Sequence, residues 1–410
     1  GRLGPAKAPV PVYEELADFM AKLRKAIGAR LGDRTKAAAF KYWDQSNDLK
    51  EAYRERTKFG VSGKETKISL AEIREFLQDG KSLLDRIFSS DRDRVVSPEG
   101  VPYTYFVNDV TKSEPLGRTN HLGYPLVKPL AFKQRPVKLF LEGAVHWMKA
   151  RPEEAKGVYD AVRSSELFDA KLGMYKACEN LEDESYELGR AVGAYPRGWI
   201  ENESIYLHME YKYLLEILRS GMGERFWEDA KTALVPFLDP QVYGRSVLEG
   251  ASFIVSSAYA DPSRHGQAFQ PRLSGITCEF LQMWIIAMGG TEPFRIGANG
   301  KLELALDPRL PGWLFTKEAS TRPYYDPVEG WQEVEIPANS LAFKALGGTL
   351  VVYENPKRKQ TFGAAGAKPG FYQLEYRSGA IAEIVGPVLL SPHAEAIRNG
   401  EVKRIDVLLQ

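Results

Sequence analysis

The spacing of apolar residues divides the chain into a helical first part and a strand-rich last part. From Tyr13 to about Gly32, the residues Leu16, Phe19, Met20, Leu23, Ile27 and Leu31 recur at intervals of three and four, the period of one helix face. A second helix is expected from Thr35 to Lys58, closed by the turn F-G-V-S-G. Ser69 with Glu72 forms a capping box ahead of a helix reaching about Phe88. Residues 89–134 are rich in Pro, Gly, Asp and Asn, with one strand-like run from Tyr103 to Val110, and read as a long loop excursion from a helical body. Helical spacing resumes from Pro136 to Ala150, from Pro152 to Ser164, from about Ser204 to Ser220, from Arg225 to about Phe237, and from Ile276 to about Met288. The segment from Leu238 to Gly275 reads as loop. Helix following helix with no strand between them points to an all-α toroid or solenoid over residues 135–290, with residues 1–134 part of it or appended to it.

Beyond Gly290 the period changes to two. The runs K-L-E-L-A-L, W-Q-E-V-E-I, L-V-V-Y and F-Y-Q-L-E-Y, and the stretch from Val402 to Leu409, alternate between Gly/Pro turns. Residues 291–410 are therefore expected to form a β-sandwich or jelly roll. The fold class is mainly α, then β.

Composition narrows the function more than the fold. The chain has 410 residues and a formal net charge of +1, so it carries no electrostatic footprint of a nucleic-acid or anionic-membrane partner. No apolar run reaches the ~18 residues of a membrane span. Cys178 and Cys278, a hundred residues apart, make neither a disulfide framework nor a Cys-rich metal site. The start, G-R-L-G-P-A-K-A-P-V-P-V-Y, shows no signal-peptide pattern and no initiator Met. It reads as a processed or truncated terminus. A soluble, intracellular protein is expected. Aromatic residues at 11% suit a carbohydrate-facing surface as well as they suit a large core.

The densest polar chemistry lies from Gly189 to His208, G-R-A-V-G-A-Y-P-R-G-W-I-E-N-E-S-I-Y-L-H, a loop delivering polar groups to a helix start. In an extended loop, Glu201 and Glu203 would point to the same side. His208 is either a satisfied, partly buried histidine or an imidazole holding an anion where the helix dipole favours one. Ser274-Gly275 opens another helix, and Ser274 either caps it or joins its free N–H groups in an anion site. Walker, dinucleotide, nucleophile-elbow and zincin motifs are lacking.

Three motifs together resemble a known family. G-R-x-x-x-x-Y-P-x-G-x-x-E-N-x-x-x-Y-x-H is similar to the signature of the inverting glycoside phosphorylases, the cellobiose and chitobiose phosphorylase group with its β-glucan relatives. L-S-G-I-T, from Leu273, resembles that family's Leu-Thr-Gly-Thr-Ala at a helix start, and L-x-L-x-L-x-P-x-L-P-x-W, from Leu302, resembles the lead into its C-terminal β-domain. The resemblance covers roughly residues 136–355. It implies part of a six-hairpin α/α toroid followed by a jelly roll. It also implies cleavage of a β-glucan or oligosaccharide by inorganic phosphate, a co-substrate and not a cofactor, giving an inverted sugar 1-phosphate. Residue by residue, His208, Ser274 and the Gly275 N–H would bind phosphate, Glu201 would bind the sugar, and Tyr206 would form a subsite wall. Where the family has Gly-Gly, this chain has Glu203-Ser204, which is expected to add charge and bulk at the subsite. No convincing general acid is present. It is expected upstream of Gly1, and Asp44, within K-Y-W-D-Q-S-N-D, is the only candidate inside the chain. Two functions follow. One is the C-terminal half of a phosphorylase, joined to an N-terminal half or another chain that carries the acid. The other is a catalytically silent structural or sugar-binding subunit of a larger assembly.

Overall fold

The computed structural model describes residues 8–90, 92–271, 274–345 and 347–410, the side chains of Glu187, Arg190, Ala191, Pro271 and Ser274 excepted. The chain divides into two compact units, one of residues 1–98 with 106–136 and the other of residues 99–105 with 137–410.

In the first unit, β1 (Pro9–Tyr13) pairs antiparallel with β2 (Glu65–Ser69), and α1 (Glu14–Gly32) packs on both α2 (Lys36–Thr57) and α3 (Leu70–Ser90). The helix starts form where hydroxyls can satisfy free N–H groups. Thr35 accepts from the Ala38 N–H at 3.1 Å, and Ser69 and Glu72 bond reciprocally at 3.2 and 2.7 Å. A single turn, α4 (Arg92–Val95), follows. The expected loop excursion is instead a long hairpin of β3 (Phe106–Thr119) and β4 (Pro125–Pro136). The strand-like run from Tyr103 to Val110 falls on the start of β3, but almost all of β3 is exposed, so the rest of it has no apolar face to alternate against a polar one and period-two reading did not extend to it. Phe132 of this hairpin meets Trp43 of α2 edge-on at 4.7 Å. That contact matters because α2 itself buries no residue.

The second unit is organised around one helix. After α5 (Leu141–Ala150) and α6 (Ala155–Ser164) come the short pair β5 (Phe168–Asp169) and β6 (Met174–Tyr175), then β7 (Ile205–Tyr206) and α7 (Leu207–Arg219). α7 packs against α5, α8 (Gly223–Ala233) and α10 (Ser274–Gly289), and its Leu207, Leu214, Ile217 and Leu218 are wholly buried. Between α8 and α10 lie a single turn, α9 (Pro240–Tyr243), and the strands β8 (Ala251–Ile254) and β9 (Ala268–Pro271), which complete a three-stranded sheet with β7. Strands therefore do stand between the helices, against expectation. They are two to four residues long, too short for a period to register. Longer helices in this unit are α5, α6, α7, α8 and α10, which could supply only part of the twelve that six hairpins need.

A polar network sits in this core. Asp229 of α8 accepts from Arg163 at 2.5 Å and from the Tyr175 hydroxyl at 2.8 Å. Glu210 of α7, with no exposed surface, accepts from the Tyr175 N–H at 2.8 Å through one carboxyl oxygen, while the other has no partner. Burial, opposed only by that hydrogen bond, holds the Glu210 pKa well above the carboxylate range.

The strand-rich end holds β10 (Phe294–Ile296) and β11 (Leu302–Leu304), the hairpin β12 (Ser320–Asp326) and β13 (Gly330–Ile336), and β14 (Ser340–Ala345) with β15 (Thr349–Glu354). It continues through β16 (Pro369–Tyr376), β17 (Ile381–Val385), β18 (Leu389–Leu390), the short α11 (His393–Arg398) and β19 (Val402–Leu409). A jelly roll is built from antiparallel Greek keys. Here β19 lies between β15 and β16, parallel to the first and antiparallel to the second, in a mixed five-stranded sheet of order β14-β15-β19-β16-β17. Alternation located these strands but carries no information about which neighbour each takes. Among the described residues no helix is long and apolar enough to cross a membrane, and both cysteines are free.

Candidate functional site

The loop singled out in the sequence is held by its own buried polar groups. Asn202, Glu203 and Ser204 have no exposed surface. The Asn202 amide donates to the Tyr195 carbonyl at 3.1 Å and accepts from the Leu181 N–H at 3.2 Å. The Cys178 thiol donates to the Glu201 carbonyl at 3.1 Å and accepts from the Glu203 N–H at 3.4 Å. Burial pushes that thiol up to about 12, so it acts as packing rather than as a nucleophile.

The two glutamates do not share a side. Ile200 and Glu203 both adopt left-handed φ, 52° and 60°, so the backbone turns and does not run extended. Glu201 stays exposed, whereas Glu203 is turned into the protein between Lys176 at 2.8 Å and Arg197 at 2.5 Å. Burial alone would raise the Glu203 pKa; hydrogen bonds from Arg197 and Lys176 outweigh it and hold the carboxyl below its usual range. The extra charge expected at the subsite is thus neutralised inside the fold.

Glu201 and Tyr206 line one cleft of about 350 Å³, with Tyr105, Phe140, Glu142 and Phe253. The rings form two pairs. Tyr105 meets Phe140 edge-on at 5.0 Å, and Tyr206 stacks on Phe253, its direct cross-strand partner on β8, at 4.8 Å. Glu142 occupies the first turn of α5, where the helix dipole favours an anion, and accepts from the Tyr105 hydroxyl at 2.8 Å. The Tyr105 phenol is pushed up to about 12 by burial, by that bond, and by the charges of Glu142 and Glu201. Gly143 makes the meeting of Tyr105 and Glu142 possible. A Cβ there would sit 2.4 Å from the Pro102 carbonyl, so only glycine lets the 102–105 segment cross the start of α5.

His208, in the first turn of α7, touches the start of α10. A Cβ on Gly275 would lie 2.2 Å from its Nε2 atom, so the imidazole rests directly on the glycine backbone. Tyr206 meets His208 edge-on at 5.8 Å, which connects this contact to the cleft. Glu279 of α10 is 3.9 Å from His208 Nε2. Burial and the charge of Lys212 lower the His208 pKa, while Glu279 and Glu142 oppose them without prevailing. The ring is therefore neutral near pH 7.

His208 and Gly275 are thus brought together, as are Glu201 and Tyr206. The Ser274 side chain lies outside the described residues. Asp44 is on α2 of the first unit, 3.9 Å from Lys128. Tyr105, Glu142 and Phe253 escaped the sequence reading. Glu-Gly at a helix start was the one available signal for Glu142. No group of three or more His, Cys, Asp or Glu able to hold a metal occurs among the described residues. No protein-family model matches the chain, and no curated protein matches it at a significant level.

Proposed function

We propose that the cleft binds an oligosaccharide or β-glucan, and that the chain takes part in its phosphate-dependent cleavage to a sugar 1-phosphate. The observation that carries the reading is convergence. Glu201 and Tyr206, marked as sugar contacts, line an aromatic cleft, and His208 and Gly275, marked as phosphate contacts, touch each other beside it. Carboxylates accept hydrogen bonds from sugar hydroxyls, and aromatic rings pack on sugar C–H faces. Phosphate held by the neutral His208 ring, the N–H groups opening α10 and Ser274 would attack the anomeric carbon. The C–O bond to the leaving sugar breaks as the phosphate–carbon bond forms, and a proton must reach the leaving oxygen. Glu142, the carboxylate at the start of α5, is already engaged by the Tyr105 hydroxyl at 2.8 Å. The acid is accordingly assigned to residues outside the cleft, on an N-terminal half or a partner chain.

A silent sugar-binding subunit is the second reading. It is favoured by the carboxylates of Glu279 and Glu142, whose charges act on His208 and weaken an anion site there. The full protein, with any chain that copurifies, should be incubated with cello- and laminari-oligosaccharides and phosphate. Release of sugar 1-phosphate, lost in His208→Ala, supports phosphorolysis. Saturable sugar binding with no sugar 1-phosphate from any of these substrates sinks it in favour of the silent subunit.

A further inference from the structure

The cleft holds more negative charge than a neutral sugar calls for. Two buried carboxylates elsewhere in this unit meet cations, Glu203 with Lys176 and Arg197 and Asp229 with Arg163, while Glu210 meets only a backbone N–H. Glu142 and Glu201 differ. Glu142 meets only the Tyr105 hydroxyl at 2.8 Å and the largely exposed His146 ring at 3.5 Å, and the Glu201 carboxylate has no hydrogen-bond or ion-pair partner among the described residues. No lysine or arginine is among the described residues lining the cleft. The field is felt by its neighbours, since both carboxylates act on the Tyr105 phenol.

The walls add to this preference. Tyr105, Phe140, Tyr206 and Phe253 present aromatic rings in two pairs, and ring faces attract cations, more strongly where water is displaced. Rings with two carboxylates that meet no lysine or arginine among the described residues, in a cavity of about 350 Å³, suit a ligand that brings its own positive charge. A bound phosphate or a sugar acid would instead meet repulsion there.

Resting on the oligosaccharide reading, we propose that the cleft selects a protonated amino sugar, whose ammonium pairs with Glu142 and Glu201 among these rings while its hydroxyls use the remaining carboxylate oxygens. Free polyamines share the ammonium but lack the ring hydroxyls, and N-acetylated sugars share the hydroxyls but lack the charge. Those two differences set the controls.

The test is calorimetric titration of the full chain at pH 6.5 with four ligands: the β-1,4-glucosamine trimer, its fully N-acetylated form, cellotriose and spermidine. The glucosamine trimer is expected to bind about tenfold more tightly than any of the others. The preference should shrink as pH rises through the ammonium pKa, near ~8 for an amine of this type. Glu142→Gln and Glu201→Gln should each bring the ratio of glucosamine to cellotriose affinity toward one, with the circular-dichroism unfolding midpoint reporting that the fold is kept. Equal affinity for cellotriose or for the acetylated trimer overturns the cationic preference and leaves the oligosaccharide reading standing. Spermidine binding as tightly as the glucosamine trimer overturns the amino-sugar assignment. Absence of binding by all the sugars overturns both readings.

Discussion

Replacing Glu203 tests whether this carboxylate belongs to the fold or to the ligand. Its side chain has no exposed surface and joins Lys176, itself only 11% exposed, to Arg197, which is 46% exposed. Glu203→Ala leaves the Lys176 ammonium buried without a counter-charge, a loss in the range of about 3–5 kcal/mol. The Arg197 share is small, at most about 1 kcal/mol, because that guanidinium can turn to water. Backbone strain separates two otherwise similar variants. At φ 60° a Cβ is disfavoured, so Glu203→Gly should be less harmful than Glu203→Ala by about 1 kcal/mol. The pH dependence follows from the depressed pKa. The unfolded carboxyl titrates near 4.5 and the folded one below it, so this contribution is complete above about pH 4.5 and is lost as pH falls through the folded value. Glu203→Gln should therefore flatten the acid limb of the stability curve. Urea unfolding followed by tryptophan fluorescence, from pH 3 to 8, measures all three variants. If Glu203→Ala costs under about 1 kcal/mol at pH 7, or destabilises less than Glu203→Gly, the buried-triad account is wrong.

Two further substitutions probe the same unit. Gly275→Ala places a methyl group inside the His208 imidazole, so the ring must move; overpacking of this kind costs about 1–3 kcal/mol, and phosphate-dependent activity should fall together with the unfolding midpoint. An unchanged midpoint and full activity would show that the two groups are not in contact. Glu210, held protonated by burial, binds a proton in the folded state that the unfolded chain releases above about 4.5, so the wild-type protein loses stability as pH rises from there. Glu210→Gln removes that slope, and its denaturation midpoint should exceed the wild-type value at pH 8 while falling below it at pH 4; parallel curves would refute a protonated Glu210.

Local rules found the helices because helix formation is decided by neighbours three and four residues apart. Thr35, the Ser69–Glu72 box and the apolar face of α1 all lie where those rules put them. Strand position at the C-terminal end was equally local, and β19 runs from Val402 to Leu409 as alternation indicated. Strand partnership was not legible. The parallel union of β15 with β19 joins Val351 to Ile405 across intervening strands, and no local pattern encodes it. The site shows the same division. His208, Gly275, Glu201 and Tyr206 stood out because they cluster within motifs. Tyr105 and Glu142 are separated by a whole hairpin belonging to the other unit, and what brings them together is a missing Cβ at Gly143. The parity of Glu201 and Glu203 failed for a related reason: two left-handed residues in one short loop reverse the side that alternation assigns.

Charge links the cleft to the start of α10. The carboxylates of Glu142 and Glu279 act on His208 in the same direction, toward protonation, yet burial and Lys212 keep the ring neutral. An anion arriving there would gain the α10 N–H groups but would face the carboxylates of Glu142 and Glu279, with Lys212 the cation whose charge acts on His208. Neutralising Glu142 with an ammonium on the sugar removes part of that repulsion, and in a partly desolvated site each removed charge counts for more than it would in water. Sugar and phosphate would then bind with positive coupling, each tightening the other by the same factor. The order of events follows from the same charges: a cationic sugar entering first prepares the anion site, whereas phosphate entering first meets the full acidic field. A neutral sugar could produce no such coupling through charge, which makes the ligand's ammonium the term on which phosphate affinity at His208 depends.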